Sequence, residues 1–98
     1  MDGPSEIPLR MLVCNCPPDA AHGLAKALVE RRLAACVNIV PGVLSVYRWK
    51  GKVEDAGEST LFIKTRAELV PAVTQAIKTL HRYELPEVVS LPLVLGEG

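Results

Sequence analysis

The sequence predicts a single α+β domain, and three observations support this prediction. Two segments rich in helix-forming residues alternate with four short apolar segments that have the composition of β-strands, in the order β-α-β-β-α-β. The chain has 98 residues, which is the size of one compact domain. Proline occurs within the second and fourth apolar segments and in neither of the others, as expected if these two segments are the edges of one sheet. The pattern is that of a ferredoxin-like fold, in which two helices cover one face of an antiparallel sheet.

The first part of the chain contains a leader, a strand and a helix. We predict a flexible N-terminal leader over residues 1–8, which are rich in glycine and proline, and a single domain over residues 9–98. The short apolar run 9–14 is predicted to be a strand. Asp19 is predicted to cap a helix over residues 20–34, which are rich in Ala, Leu, Lys, Glu and Arg.

The second part of the chain supplies three strands and a helix. A long strand is predicted over residues 36–49, with a bend or bulge at the Pro-Gly pair in its middle. A polar hairpin loop with partial strand character, over residues 52–57, is predicted to separate it from a strand over 59–64. Apolar residues at helical spacing predict a helix over 67–80. The final apolar run, over residues 87–95, is predicted to be the fourth strand.

Both predicted edge strands are apolar, and one of them is long. The strand over residues 36–49 is more than twice the usual length of about five or six residues. Because exposed apolar strand edges promote aggregation, we expect other copies of the chain to cover them. Tyr47 and Trp49 lie on one face of this strand, and a contact between subunits explains them better than a ligand site does.

The composition excludes several classes of function. Eleven basic and eleven acidic residues give a formal net charge of zero, whereas nucleic-acid-binding domains usually have a basic excess. No apolar run approaches the length of about 18 residues that a transmembrane helix needs, and the N-terminus lacks the pattern of a signal peptide. Three cysteines are an odd number, which favours reduced thiols over a disulfide framework. We therefore expect a small soluble intracellular protein that binds neither nucleic acids nor membranes.

The three cysteines receive different predictions. Cys14 and Cys16 are two residues apart, so that a strand would point both side chains to the same face. We predict that Cys14 is a core residue. Cys16 is predicted to lie in the loop after the strand, where a packing role and a functional role are equally supported. Cys36 is predicted to be a packing residue, although Asn38 on the same face places a polar group beside the thiol and hints at a ligand site.

Several charged and polar residues near the end of the chain are candidate ligands. His81 ends the second predicted helix, and it is followed by Tyr83, Glu84 and Glu87. Alone, this histidine would serve as a helix C-terminal cation, but imidazole together with carboxylate is a workable ligand set for a divalent ion. Glu84 and Glu87 would point to opposite faces of a regular strand, so both can serve one site only if the segment is irregular.

Anion binding and catalysis give weaker signals. Lys64 and Arg66 at the end of a predicted central strand could bind an anion, and they could equally be solvated. The sequence contains no glycine-rich phosphate loop and no Ser-His-Asp candidate. We therefore do not expect an enzyme.

Taken together, six motifs resemble the CutA divalent-cation tolerance family. They are Cys16-Pro17, LAACVN at residues 33–38, Pro41-Gly42, SVYRWKGK at 45–52, IKTR at 63–66 and HRYELPE at 81–87. The resemblance implies a ferredoxin-like subunit in a cytoplasmic homotrimer similar to PII-type signalling proteins. It also implies tolerance to copper and other divalent ions, with metal bound by Cys16, His81 and Glu84. The family usually has proline at the position of Arg82.

Two hypotheses about function follow. In the first, the chain is a trimeric tolerance protein that binds copper or another divalent metal through Cys16, His81 and Glu84. In the second, it is a PII-like signalling or interaction scaffold that binds a small anion or a partner protein. Lys64 and Arg66 would then supply the positive charge.

Overall fold

The computed structural model describes residues 8–81 and 87–93, and its four strands form one antiparallel sheet. The strands are β1 (Leu9–Cys16), β2 (Cys36–Trp49), β3 (Lys52–Arg66) and β4 (Val88–Leu93). Their order in the sheet is β2-β3-β1-β4, so that β2 and β4 are the edges. The predicted ferredoxin-like order of the strands is therefore confirmed.

The prolines lie where the sequence analysis expected them. Pro92 is in the edge strand β4, opposite Arg10 of β1. Pro41 is in the edge strand β2, where the pairing with β3 shifts register between Val40 and Val43. The neighbouring Gly42 has a φ of 73° there, a conformation that glycine adopts without steric cost. The predicted bulge at this position is confirmed.

Both helices lie on the same side of the sheet, and each follows a short 3-10 turn. Helix α1 spans Ala21–Glu30 and helix α2 spans Val70–Leu80. The predicted cap at Asp19 is wrong, because Asp19 lies inside the turn Pro18–Ala20 and the residue that caps α1 is Ala20. Within the described residues, no helix is long and apolar enough to cross a membrane.

Helix α1 ends four residues earlier than predicted, because a Schellman motif closes it. The backbone N–H of Arg32 donates to the carbonyl of Val29, and that of Leu33 donates to the carbonyl of Leu28, both at 3.0 Å. Arg32 has a φ of 60°, in the left-handed region that ends helices. The chain then turns into β2 at Cys36.

The hydrophobic core lies between the helices and one face of the sheet. It includes alternate residues of the central strands and the apolar stripes of the helices, among them Leu12, Cys14, Cys16, Leu61, Ile63, Leu24, Leu28, Val73 and Ile77. The opposite face, which we call the open face, carries the other residues of the central strands, including Val13, Asn15, Thr60 and Phe62. No described helix lies on it.

A two-stranded ribbon, residues 43–58, extends beyond the four-stranded sheet. The partial strand character predicted for residues 52–57 is confirmed, but the predicted loop is wrong, because β3 begins at Lys52. The hairpin is instead closed by the two residues Lys50 and Gly51, whose φ values of 52° and 80° are those of a type I′ turn. Since β1 ends opposite Ser59, the ribbon strands pair only with each other within the described chain. The ribbon contributes to a molecule 51 Å long.

Candidate functional site

A cluster of three hydrogen-bonded polar side chains on the open face, Asn15, Thr60 and Ser45, joins the end of β1 to the base of the ribbon. We call it the Asn15 group. The Thr60 hydroxyl donates a hydrogen bond of 2.6 Å to Oδ1 of Asn15. The Nδ2 of Asn15 in turn donates to the Ser45 hydroxyl at 3.4 Å. One side chain therefore connects β1, β3 and β2. Asn15 was not predicted as a site residue. It could have been, because it lies between two cysteines that face the core and must therefore point to the opposite face of the sheet.

His81 packs against the same residue from the end of helix α2. Its Nε2 lies 2.7 Å from the carbonyl oxygen of Asn15. Because a carbonyl oxygen only accepts, Nε2 carries the proton, and in the neutral ring Nδ1 then carries the lone pair. A histidine that binds metal commonly donates its other N–H to a carbonyl in this way, which fixes the tautomer and the ring orientation.

Cys16 lies next to Asn15 in the chain, and it is the last residue of β1. The prediction that Cys16 lies in a loop is wrong, because β3 extends far enough to pair Ser59 with Cys16. Its side chain is 1% exposed and belongs to the core. His81 therefore bonds to the carbonyl of the residue that precedes Cys16, and both predicted metal ligands lie near the end of β1.

Cys14 is a core residue, as predicted. Its side chain is buried against the helices. Burial, and to a smaller extent the charges of Cys16 and Glu58, raise the pKa of the Cys14 thiol to about 12. The thiol therefore stays protonated at neutral pH, which makes Cys14 a poor ligand and a poor nucleophile.

Cys36 does not pack as predicted. It is exposed on the open face of the edge strand β2, because the residues of β2 that face the core are Val37 and Ile39. Its sulfur lies 3.8 Å from Oδ1 of Asn38, which confirms that these two side chains share a face. Both lie on the strand that borders the sheet.

An acidic groove of about 700 Å³ lies on the open face beside the Asn15 group. Tyr47 and Trp49 of the ribbon line it, together with the carboxylates of Glu58 and Glu87. Every charged residue that lines the groove within the described chain is acidic. Glu58 is almost fully buried, and the sequence analysis missed it because it predicted a loop up to the preceding residue.

A basic groove of about 600 Å³ lies at the other end of the sheet. It brings Lys64 and Arg66 of β3 together with Arg32 at the end of α1 and with Cys36. The Arg66 guanidinium is 4.0 Å from the carboxylate of Glu68, but both side chains are mostly exposed, so this ion pair is weak. Lys64 and Arg66 were predicted from the sequence. Arg32 was not, because only the end of helix α1 brings it into this groove.

The described residues contain two of the three predicted metal ligands. Among residues 8–81 and 87–93 there is no group of three or more His, Cys, Asp and Glu side chains arranged to hold a metal ion. Glu84, predicted as the third ligand, and Tyr83, predicted as a cleft residue, lie outside the described residues. Glu87 is exposed and lines the acidic groove.

The sequence and the fold both match known proteins. A sequence model of the family described as CutA1 divalent ion tolerance protein matches residues 10–98. This chain belongs to the CutA1 family. The mouse protein named Protein CutA is 48% identical over 83 residues, which are 84% of this chain and 47% of the mouse protein. The chain therefore spans about half the length of this CutA relative.

Solved CutA structures have the same fold. The crystal structure of CutA1 from Oryza sativa superimposes with a TM-score of 0.90 at 43% identity, covering 93% of this chain and 84% of the rice chain. The structure described as PII-like protein CutA from Nostoc sp. PCC 7120 in apo form gives a TM-score of 0.82 at 39% identity, with 86% and 80% covered. The resemblance to the CutA family drawn from the six motifs is confirmed.

Proposed function

We propose that this CutA1-family chain binds copper or another divalent metal ion as a cytoplasmic homotrimer and so contributes to divalent-cation tolerance. The observation that carries the proposal is the hydrogen bond from Nε2 of His81 to the carbonyl of Asn15. It fixes the imidazole at the residue before Cys16 and assigns the lone pair of the neutral ring to Nδ1. The proposed ligands are Cys16 and His81, with Glu84 as the third.

The donor set determines which metal is expected. Thiolate and imidazole favour copper or zinc over magnesium, which prefers oxygen ligands.

Assembly as a trimer is supported by the apolar surface that one chain leaves exposed. Leu44, Val46 and Val53 of the ribbon are each about two thirds exposed, at 68%, 66% and 65%. Tyr47 and Trp49, predicted as subunit contacts, are 44% and 47% exposed. Exposed apolar surface of this kind marks an interaction site.

A binding role in a reducing compartment is supported by the cysteines and by the relatives. None of the three cysteines, all of which the structure describes, forms a disulfide bond. Thiols of this kind are usual in cytoplasmic proteins. The matching family is named for divalent ion tolerance, and its name includes no enzymatic reaction. We therefore propose a binding protein rather than an enzyme.

Anaerobic titration calorimetry with Cu(II) and Zn(II) tests the metal site. We expect Cys16→Ser and His81→Ala each to weaken binding about tenfold or more, since each removes a ligand. The controls are Cys36→Ser and His22→Ala, which remove an exposed thiol and an exposed imidazole elsewhere. Both controls should bind as the unmodified protein does. Unchanged affinity in both ligand variants would exclude the site.

The basic groove favours a second candidate function, that of a PII-like scaffold for a small anion. Three cations, Arg32, Lys64 and Arg66, line this concave surface together with apolar residues, which suits a small organic anion. A thermal-shift screen of anionic metabolites tests it. A ligand that stabilises the unmodified protein should lose its effect in Lys64→Ala/Arg66→Ala and keep it in Lys26→Ala/Lys78→Ala, which removes the same charge from the helices. If no anion gives this difference, the scaffold hypothesis is rejected.

A further inference from the structure

The basic groove combines positive charge with apolar surface. Its charged lining residues within the described chain are three cations and no acidic residue. The largest uncharged side chains that line it are all apolar, namely Leu9, Val29, Leu69 and Leu93. Val29 is 42% exposed although it lies on a helix that packs against the sheet. An inorganic anion would contact the cations alone and would leave this apolar surface in water.

Hydrogen bonds hold one wall of the groove in place. The Thr65 side chain is almost fully buried, and its hydroxyl donates a bond of 2.6 Å to the carbonyl of Leu33. The backbone N–H of Ala35 donates to the carbonyl of Lys64 at 2.9 Å. These two bonds fix the segment between α1 and β2 against the end of β3. A ligand therefore meets a wall that is already formed, which reduces the cost of ordering it on binding.

The three cations reach the groove from two elements, and all three are exposed. Lys64 of β3 pairs directly with Cys36 of β2, and Arg66 lies two residues further along β3. Arg32 follows the end of α1 in a left-handed conformation. The ion pair of Arg66 with Glu68, at 4.0 Å, is also exposed, so that exchanging it for a ligand costs little. Guanidinium groups bind carboxylates and phosphates through two parallel N–H···O bonds.

We propose that the basic groove binds an organic anion with an aliphatic chain, such as a medium-chain carboxylate. Its head group contacts Arg32, Lys64 and Arg66, and its chain covers the apolar wall that includes Val29 and Leu69. This inference rests on the anion-binding function proposed above for the same groove, and it specifies the class of ligand. Because both kinds of contact contribute, a short anion and an uncharged aliphatic molecule should each bind more weakly than a molecule that combines the two.

Cys36 provides a reporter for this groove. Its thiol is exposed and the residue lines the groove, whereas Cys14 and Cys16 are each 1% exposed. Iodoacetamide is uncharged and does not compete for the cations. The thiolate sulfur displaces iodide from the carbon of this reagent, and the thiol proton passes to the buffer. Peptide mass spectrometry assigns the rate of alkylation to each cysteine, so that a ligand in the groove should slow the reaction of Cys36 alone.

Three probes separate the charged head from the aliphatic chain. They are octanoate, acetate and 1-octanol, used at the same concentration. We expect saturating octanoate to slow the alkylation of Cys36 about fivefold or more, and acetate and octanol to change it less than about twofold. Titration calorimetry from butanoate to octanoate should show an affinity that rises about two- to fourfold for each added methylene, as expected when a chain leaves water for an apolar surface.

The contribution of charge is tested by Lys64→Ala/Arg66→Ala. The control Lys26→Ala/Lys78→Ala removes the same charge from the two helices. We expect the groove variant to bind octanoate about tenfold or more weakly, since it removes two of the three cations, and the control to stay within about twofold of the unmodified protein. Protection of Cys36 is compared within each variant, with and without octanoate, because removing nearby cations also changes the reactivity of a thiol.

The contribution of apolar contact is tested by Val29→Ser. Its control is Val40→Ser, because Val40 is also 42% exposed and does not line the groove. Circular dichroism establishes that each variant is folded. Val29→Ser should weaken the binding of octanoate about threefold or more and leave that of acetate unchanged, whereas Val40→Ser should bind both as the unmodified protein does.

The outcomes separate this inference from the proposed functions. Equal protection of Cys36 by acetate and octanoate would reject the aliphatic chain and leave a groove for small anions standing. No protection by either anion would reject the groove as an anion site altogether. The proposal is also overturned if Cys36 of the unmodified protein reacts as slowly as Cys14, because the groove is then closed in solution. Calorimetry with Zn(II) on the same variants reports on the metal site independently, because none of the substituted residues is a proposed ligand.

Discussion

The hydroxyl of Thr60 donates a hydrogen bond of 2.6 Å to Oδ1 of Asn15, and the two residues are direct partners across the central strands of the sheet. Thr60 is 9% exposed, so water cannot easily replace this donor. The second bond of the same amide, to Ser45, is longer at 3.4 Å, and Ser45 is only partly buried. The first bond should therefore contribute more to stability than the second.

Replacing Thr60 by valine tests this difference. We expect Thr60→Val to lower the free energy of unfolding by about 1–2 kcal/mol, because it leaves the carbonyl of the Asn15 amide without its donor in a buried place. Ser45→Ala should cost about 0.5 kcal/mol or less. Urea denaturation at one protein concentration gives both values. Equal losses of unfolding free energy in the two variants would show that the shorter bond does not stabilise the fold more than the longer one.

Replacing Arg32 by glycine should stabilise the protein. Arg32 has a φ of 60°, where a side chain is strained and glycine is not. We expect Arg32→Gly to raise the free energy of unfolding by about 0.5–1 kcal/mol. The matched control is Arg31→Gly, since Arg31 has a φ of −81° and should lose stability instead. Thermal unfolding that changes in the same direction for both variants would contradict the argument.

Two leucines should distinguish the core from the assembly surface. Leu61 has no exposed surface, and Leu61→Ala should lower the free energy of unfolding by about 2–5 kcal/mol. Leu44 is 68% exposed in one chain, so that Leu44→Ala should leave a dilute monomer nearly as stable as before. The same substitution should weaken association, as measured by sedimentation. A large loss of monomer stability in Leu44→Ala would mean that the ribbon packs on its own chain.

Cys14 should make the protein sensitive to alkaline pH. Its pKa rises from the ordinary 9.0 to about 12 in the folded chain, so the unfolded chain loses this proton first as the pH increases. The contribution is complete below pH 9 and falls by up to about 1.4 kcal/mol per pH unit as the pH rises towards 12. Urea denaturation between pH 8 and pH 11 should show a smaller decline in Cys14→Ala. The exposed thiol of Cys36 provides the control, and Cys36→Ala should keep the full decline.

Composition and spacing were sufficient to predict the order of the strands. The prolines at positions 41 and 92 identified the edge strands, because a residue without an N–H cannot lie in the middle of a ladder. The polar segment 52–57 was predicted as a loop with only partial strand character, since strand propensity is weak where cross-strand pairing decides the outcome. Only the type I′ turn at Lys50 and Gly51, seen in the structure, fixes that pairing.

The candidate site was predicted in part. His81 was proposed as a ligand from its chemistry, and Cys16 was paired with it by the resemblance to the CutA family; in the structure His81 bonds to the backbone carbonyl of Asn15, the residue before Cys16. Every residue has such a carbonyl, so sequence alone cannot indicate which one accepts a hydrogen bond. The third cation of the basic groove, Arg32, was also missed. It lies in a left-handed turn, and this chain lacks the glycine that usually marks such a turn in a sequence.

The proposed assembly should make the local order of the ribbon depend on protein concentration. A two-stranded hairpin is marginally stable by itself in water, and within the described chain residues 43–58 have only each other as strand partners. When another copy covers the ribbon, the free energy of association is added to its local stability. Amide hydrogens in the ribbon should therefore exchange with deuterium more slowly as concentration rises, while those of β1 stay constant. Hydrogen exchange would thus report the fraction of assembled chains without a covalently attached probe.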